Sequence, residues 1–254
     1  MIRKNNVKEI IKNGKSAIGT FIKSNDPSVA EVVGLAGFDF FVLDNEHVAM
    51  SRDSMVNMVR AADAVGVDPI VRVRENATVE ILQALDAGAL GVQVPNVDTK
   101  QEAQDVISAV KYTPIGKRGF SPTTRAAGYG FMDKKEYVET SNEETLVVCH
   151  CETVQCIENL DAILTLDHLD VIFIGPMDLS QSLGVMGEAN HPKVLESIDL
   201  IINKVKKANK AVGIVSAPSK VQEYIDRGVQ YLLVGTDQGM IAAGAAQTLK
   251  QAGR

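Results

Sequence analysis

Eight short runs rich in β-branched and aromatic residues alternate with helical patterns almost from end to end, and this cadence restricts the fold more than any other feature of the chain. The runs are Ala17–Lys23, Phe38–Asp44, Pro69–Val73, Gly91–Pro95, Thr145–Cys151, Asp170–Gly175, Ala211–Ser216 and Tyr231–Gly235. Several are apolar without alternation, as strands covered on both faces should be. A chain of 254 residues gives each repeat roughly 32, close to the length of a strand–helix–strand unit. The predicted fold is therefore α/β, a (β/α)8 TIM barrel forming a single domain over residues 1–254, with a helical lead-in over residues 5–13.

The intervening helices carry their own punctuation. Asp26-Pro27 reads as an N-cap and first-turn proline, with Gly37 ending that helix. Thr99 with Glu102 forms a capping box ahead of Ala103, Val106, Ile107 and Val110, which share one helical face. Gly88 and Gly228 end two more helices. The stretch from Tyr112 to Glu144 breaks the rhythm, holding Gly116, Gly119, Pro122, Gly128 and Gly130, and reads as a long functional loop.

Composition narrows the function. A formal charge of −6 leaves no basic surface to neutralise a phosphate backbone, so nucleic acid is not an expected partner. No run approaches 18 apolar residues, so no membrane span is expected, and the start lacks the apolar stretch of a signal peptide. Three cysteines do not make a disulfide framework, and the expected compartment is a reducing cytoplasm.

In barrels of this kind reactive side chains sit at the C-terminal ends of strands. Glu152 and Asp178 fall there on adjacent strands, where their oxygens could share one hard divalent cation such as Mg²⁺ or Mn²⁺ and leave positions open for a bidentate oxo acid. Acids also favour helix N-termini, so N-capping or first-turn roles compete for both residues. His47 follows Asp44 and Glu46 at a strand end and is a candidate general base, against the alternative of an ordinary surface histidine. Arg72 interrupts the apolar run Pro69-Ile70-Val71-Arg72-Val73, where an unpaired guanidinium would be costly; it faces either a substrate anion or a salt bridge to Asp44 or Glu46.

Other polar groups carry less. Cys149-His150-Cys151 resembles a soft-metal motif, but strand alternation turns both thiols toward the helices and His150 inward beneath Glu152. Cys149, Cys151 and Cys156 read as packing residues, and His168 and His191 as surface residues. Gly235-Thr236-Asp237-Gln238-Gly239 reads as a turn opening the last helix rather than a phosphate cradle. Lys23, Lys111 and Lys117 show no desolvated setting of the kind a Schiff-base lysine needs.

Taken in order, Gly34-Leu35-Ala36-Gly37-Phe38-Asp39, Leu43-Asp44-Asn45-Glu46-His47, Val71-Arg72-Val73, Gly116-Lys117-Arg118-Gly119, Glu152-Thr153 and Ile174-Gly175-Pro176-Met177-Asp178-Leu179-Ser180 resemble the class II, divalent-metal-dependent aldolases of hydroxy-oxo acids over nearly the whole chain. The family is typified by 2,4-dihydroxyhept-2-ene-1,7-dioate aldolase and 2-dehydro-3-deoxyglucarate aldolase. The resemblance implies reversible retro-aldol cleavage of a 4-hydroxy-2-oxo acid to pyruvate and an aldehyde. It makes Glu152 and Asp178 the ligands of Mg²⁺, Mn²⁺ or Co²⁺, His47 the acid–base residue, and Arg72 the contact to the keto oxygen and enolate. Asp44, with Glu46 and His150, would surround the ion and its water, and backbone amides around Gly175, Pro176 and Met177 would receive the pyruvate carboxylate.

Asp86 matches the acid that the family pairs with its histidine. It lies near the bottom of its own barrel while His47 lies at the top, so such a pair must join different subunits, consistent with the family's hexameric habit and inter-subunit active sites. Two positions depart from the family pattern. Asn45 replaces a common glycine and is expected to hold a left-handed turn, and His150 replaces a common glutamine. The rivals to an aldolase are a related metal-dependent lyase acting on an acyl-coenzyme A ester or a phosphonate, and a barrel that binds an oxo acid without turnover.

Overall fold

The computed structural model describes residues 1–254. Its eight strands are β1 (Ala17–Ile22), β2 (Phe40–Asp44), β3 (Asp68–Arg72), β4 (Gly91–Val94), β5 (Leu146–Cys151), β6 (Val171–Ile174), β7 (Ala211–Ser216) and β8 (Tyr231–Thr236). All pair in parallel in sequence order, and β8 closes on β1 through Ala17 opposite Tyr231. Each predicted run becomes a strand with ends displaced by no more than two residues.

Alternation divides the core in two. Val92, Val147, Cys149 and Ile172 point outward and pack under the helices, while Phe40, Val42, Ile70, Val148, Phe173, Tyr231 and Leu233 fill the barrel interior. Close packing there depends on small residues: a Cβ at Gly213 would lie 2.9 Å from the rings of both Phe173 and Tyr231. The helices start where the capping residues predict. Asp26 accepts from the Ser28 amide ahead of α2 (Pro27–Leu35), and the Thr99–Glu102 box opens α5 (Lys100–Val110) with both reciprocal bonds made. The turn after β8 behaves as a helix start, with Thr236 capping α11 (Asp237–Gln251).

The lead-in helix α1 (Asn6–Lys12) closes the lower end of the barrel, where Asn5 donates to the carbonyls of Leu90 and Glu144. The long segment after α5 is not a loop throughout. Its last third forms α6 (Lys134–Glu144), opened by Asp133 accepting from the amides of Lys135 and Glu136. Asp133 was a readable N-cap signal, but the helix buries only Tyr137 and Ser141, so its periodicity is weak. No helix is long and apolar enough to cross a membrane.

Candidate active site

The upper rim collects the charged residues that interrupt apolar strands. Arg72 ends β3 almost fully buried, with Nε 3.1 Å from Asp44 Oδ1, Nη2 2.7 Å from Asp44 Oδ2, and Nη1 3.2 Å from Glu46 Oε2. The salt bridges weighed from sequence therefore both form, and they orient the guanidinium over the Phe21 ring at 4.7 Å. Lys23 adds a second cation 3.4 Å from Asp44 Oδ2. Burial works to raise the Asp44 carboxyl, but Arg72, the His47 amide and Lys23 outweigh it and hold the group below the usual carboxylate range. Burial prevails at Glu46, whose carboxyl is raised despite Arg72, with Glu152 adding to the rise.

The turn carrying His47 is made without a left-handed residue at Asn45, contrary to expectation. Non-glycine residues in that region are Asn96, Tyr129, His168 and Asn209. Asp44 Oδ1 instead accepts the amides of Glu46 and His47, while the Asn45 amide donates to the Arg72 carbonyl. These bonds supply the turn that a glycine would otherwise allow. His47 stands half exposed at the rim, its Nε2 3.8 Å from Glu46 Oε2.

Glu152 follows β5 and is buried. Its Oε1 accepts the Asn96 amide at 2.9 Å, and its Oε2 lies 2.7 Å from His150 Nδ1. Burial would raise this carboxyl, but His150, the Asn96 amide and Arg72 together hold it low. Thr153, not Glu152, caps α7 (Val154–Ile163), so the competing capping role is excluded for Glu152. Asp178 lies in the first turn of α8 (Pro176–Ser182), is exposed, and makes no protein hydrogen bond or ion pair.

Gly175 shows how the two carboxylates meet. A Cβ there would stand 2.7 Å from Glu152 Oε2 and 3.5 Å from Asp178 Oδ2, so the oxygens are no farther apart than the sum of those distances and the glycine keeps the space between them open. No group of three or more His, Cys, Asp or Glu side chains is placed to hold a metal ion between them, so protein ligands here number at most two. Two hard oxygen donors with open positions beside them fit Mg²⁺ or Mn²⁺, which are held by one or two carboxylates with substrate and water completing the shell. Pro176 is buried at the start of α8 and Met177 is exposed beside it.

Over residues 17–243 the chain matches the family model described as HpcH/HpaI aldolase/citrate lyase. The chain belongs to that family. It is 34% identical to the 2-dehydro-3,6-dideoxy-6-sulfogluconate aldolase of Pseudomonas putida over 94% of each chain, and 34% identical to the 2-keto-3-deoxy-L-rhamnonate aldolase of Salmonella gallinarum over 92% of this chain and 87% of the relative. An HpcH/HpaI aldolase/citrate lyase family structure from Burkholderia cenocepacia J2315 superposes with a TM-score of 0.93 at 26% identity, covering 99% of this chain and 100% of the other. The HpcH/HpaI protein is thus an aldolase-type carbon–carbon lyase on a (β/α)8 barrel.

Within one chain the rim brings together Asp44, Glu46, His47, Arg72, His150, Glu152, Gly175 and Asp178, but not Asp86. Asp86 ends α4 (Thr78–Asp86) at the opposite end of the barrel, where Arg118 Nη2 donates to it at 2.7 Å. Cys149, Cys151 and Cys156 are free, buried packing residues, and His191 caps α9 (Pro192–Lys207) through the Lys193 amide. Lys111 departs from its sequence reading. It is buried and its amine is pushed down to about 8, chiefly by burial, yet Nζ is tied to the carbonyls of Asn142 and Thr145 far from the rim.

Gln93, Asn96 and Tyr231 escaped the sequence reading. Gln93 interrupts an apolar strand just as Arg72 does, so its signal was present. The role of the Asn96 backbone amide carries no side-chain signal at all.

Proposed function

We propose that this lyase reversibly cleaves a 4-hydroxy-2-oxo acid, of the 2-keto-3-deoxy sugar-acid class named for its relatives, to pyruvate and an aldehyde. The observation that carries this reading is the convergence of Glu152 Oε2 and Asp178 Oδ2 on Gly175, close enough to Arg72 for its charge to lower the Glu152 carboxyl. Glu152 and Asp178 would hold Mg²⁺, Mn²⁺ or Co²⁺, with Asp44, Glu46 and His150 around the ion. A divalent cation bound there supplies a Lewis acid for the substrate carboxylate and 2-oxo group.

The chain's own side chains then divide the remaining work. His47, at the open rim beside Glu46, takes the 4-hydroxyl proton directly or through a water. As the bond between C3 and C4 breaks, its electron pair moves toward the 2-oxo oxygen, and Arg72 holds the developing negative charge. Asp44 and Glu46 keep the guanidinium in place through three contacts that exist before substrate arrives. The aldehyde leaves, and a proton returned to C3 completes pyruvate. Backbone amides near Gly175, Pro176 and Met177 receive the carboxylate; Pro176 itself has no N–H to give.

The same reading takes the protein as one domain over residues 1–254, working in a reducing cytoplasm that suits three free thiols, with small oxo acids and aldehydes as its partners. It makes the working form a homo-oligomer, a hexamer built as a trimer of dimers, in which Asp86 approaches His47 of a neighbour. Exposed Met240, Ile241 and Leu249 on α11, with Val32 and Leu35 on α2, supply apolar surface for such contacts. The test is a panel of aldehydes offered with pyruvate under each cation, read by product formation. Chelator-sensitive carbon–carbon bond formation is expected; binding of pyruvate without turnover under any cation would overturn the reading.

A further inference from the structure

Gln93 and His150 are buried polar side chains inside a barrel otherwise packed with rings and aliphatic groups. An unpaired polar group in that setting would be costly, yet both are paired end to end. Tyr231, entering from β8, donates its hydroxyl across the barrel to Gln93 Oε1 at 3.1 Å. Gln93 Nε2 lies 2.8 Å from His150 Nε2, and His150 Nδ1 lies 2.7 Å from Glu152 Oε2.

Donor and acceptor rules leave one consistent assignment for this series. Tyr231 has no other hydrogen-bond partner, and burial pushes its phenol well up, so the hydroxyl keeps its proton and donates it. Gln93 must then turn its carbonyl to Tyr231 and its amide to His150. The ring nitrogen it meets must be bare, which puts the ring proton on Nδ1, facing Glu152. Reversing the Gln93 amide would leave the Tyr231 proton without an acceptor. Phe173 stacks on the imidazole at 4.9 Å and limits its rotation.

We propose that Tyr231, Gln93 and His150 form a positioning relay: the Glu152 carboxylate takes the Nδ1 proton of His150, and Gln93, its carbonyl held by Tyr231, gives its amide to the bare Nε2 and so fixes the ring that holds Glu152 Oε2 beside Gly175. With the Asn96 amide on Oε1 and His150 Nδ1–H on Oε2, each oxygen of the carboxylate is held by one donor. The consequence for the site rests on the reading of Glu152 as a cation ligand. The relay itself does not.

The experiment is ¹⁵N NMR of histidine-labelled protein without added cation, the His150 ring being identified by its loss in H150Q. The expected wild-type signature is a protonated Nδ1 and a bare Nε2. In Y231F the Gln93 carbonyl loses its donor, the Gln93 hydrogen bond to Nε2 weakens so that the Nε2 resonance moves, and Mn²⁺ affinity read by electron paramagnetic resonance falls about 10-fold or more. A wild-type ring protonated at Nε2 overturns the relay, as does Y231F with an unchanged Nε2 resonance or unchanged Mn²⁺ affinity. Should Y231F fail to fold, Gln93→Leu takes its place with the same expected and overturning results. Equal Mn²⁺ affinity in wild type and E152Q would instead sink the ligand role of Glu152 and leave the tautomer result standing.

Discussion

At the base of the barrel Asp68 meets Arg3 at 2.6 Å, Asp63 meets Arg125 at 2.6 Å and Asp86 meets Arg118 at 2.7 Å. At the rim Arg72 and Lys23 face four carboxylates, those of Asp44, Glu46, Glu152 and Asp178, and Asp178 has no partner at all. At the base each of these acids has at least one cation of its own chain beside it, Asp63 meeting Arg3 and the N-terminal amine as well as Arg125. The rim keeps negative charge in excess in a partly buried place, an arrangement that a bound cation would complete. Volume does not mark the difference, since a cleft of about 920 Å³ opens beside α1 at the base, among lysines and acids such as Lys8, Lys210 and Asp170.

Removing a rim acid should sharpen this contrast most. Asp178→Ala is expected to abolish turnover and calorimetric Mn²⁺ binding while leaving Tm close to wild type, and Glu152→Ala to do the same with a modest fall in Tm, since it leaves the Asn96 amide and His150 Nδ1 unpaired. A collapse of Tm with Mn²⁺ affinity preserved would assign these acids to the fold instead. Arg72→Ala is expected to lower kcat about 100- to 1,000-fold, the usual cost of losing an oxyanion donor, with a smaller fall in Mn²⁺ affinity. Equal falls in both quantities would remove its role at the enolate.

At the base the order of effects should reverse. Asp68→Ala removes an acceptor that Arg3, the Asn6 side chain and the Val7 amide share, and unfolding in urea should show a loss at or below the low end of about 3–5 kcal/mol, because Arg3 keeps the Val67 carbonyl, Asp63 and partial access to water. The kcat of the folded fraction should not change; a large fall would show that the ends of the barrel are coupled. Lys111 offers the smallest and most specific test. Its folded pKa of about 8 lies below the ordinary 10.5, so between those values the unfolded chain binds the extra proton and stability from this group rises with pH. Urea unfolding across that window should show a rise of at most about 1.4 kcal/mol per pH unit that is absent in Lys111→Met. A wild-type slope unchanged by the substitution would mean that Lys111 is not desolvated.

What was legible followed local rules. The strands announced themselves because a residue covered on both faces must be apolar, and Thr99 with Glu102 announced a helix because unpaired amides at its start need acceptors. Arg72 and Glu152 stood out as charges where an apolar layer was due. Helix α6 was missed because it buries too little to impose a period, and the turn at Asn45 was misjudged because the bonds that make it come from the Asp44 side chain and the Arg72 carbonyl.

Sequence by itself determined the barrel, the rim on which charged residues gather, and the family resemblance those residues carry. Only the tertiary structure decided which oxygen of Glu152 lies beside Gly175, that Tyr231 reaches across to Gln93, and that Arg118 donates to Asp86 within the chain. Periodicity and capping act over a few neighbouring residues and can be read along the chain. A hydrogen bond between residues 138 positions apart, like that of Tyr231 and Gln93, exists only after opposite walls of the barrel have closed on each other.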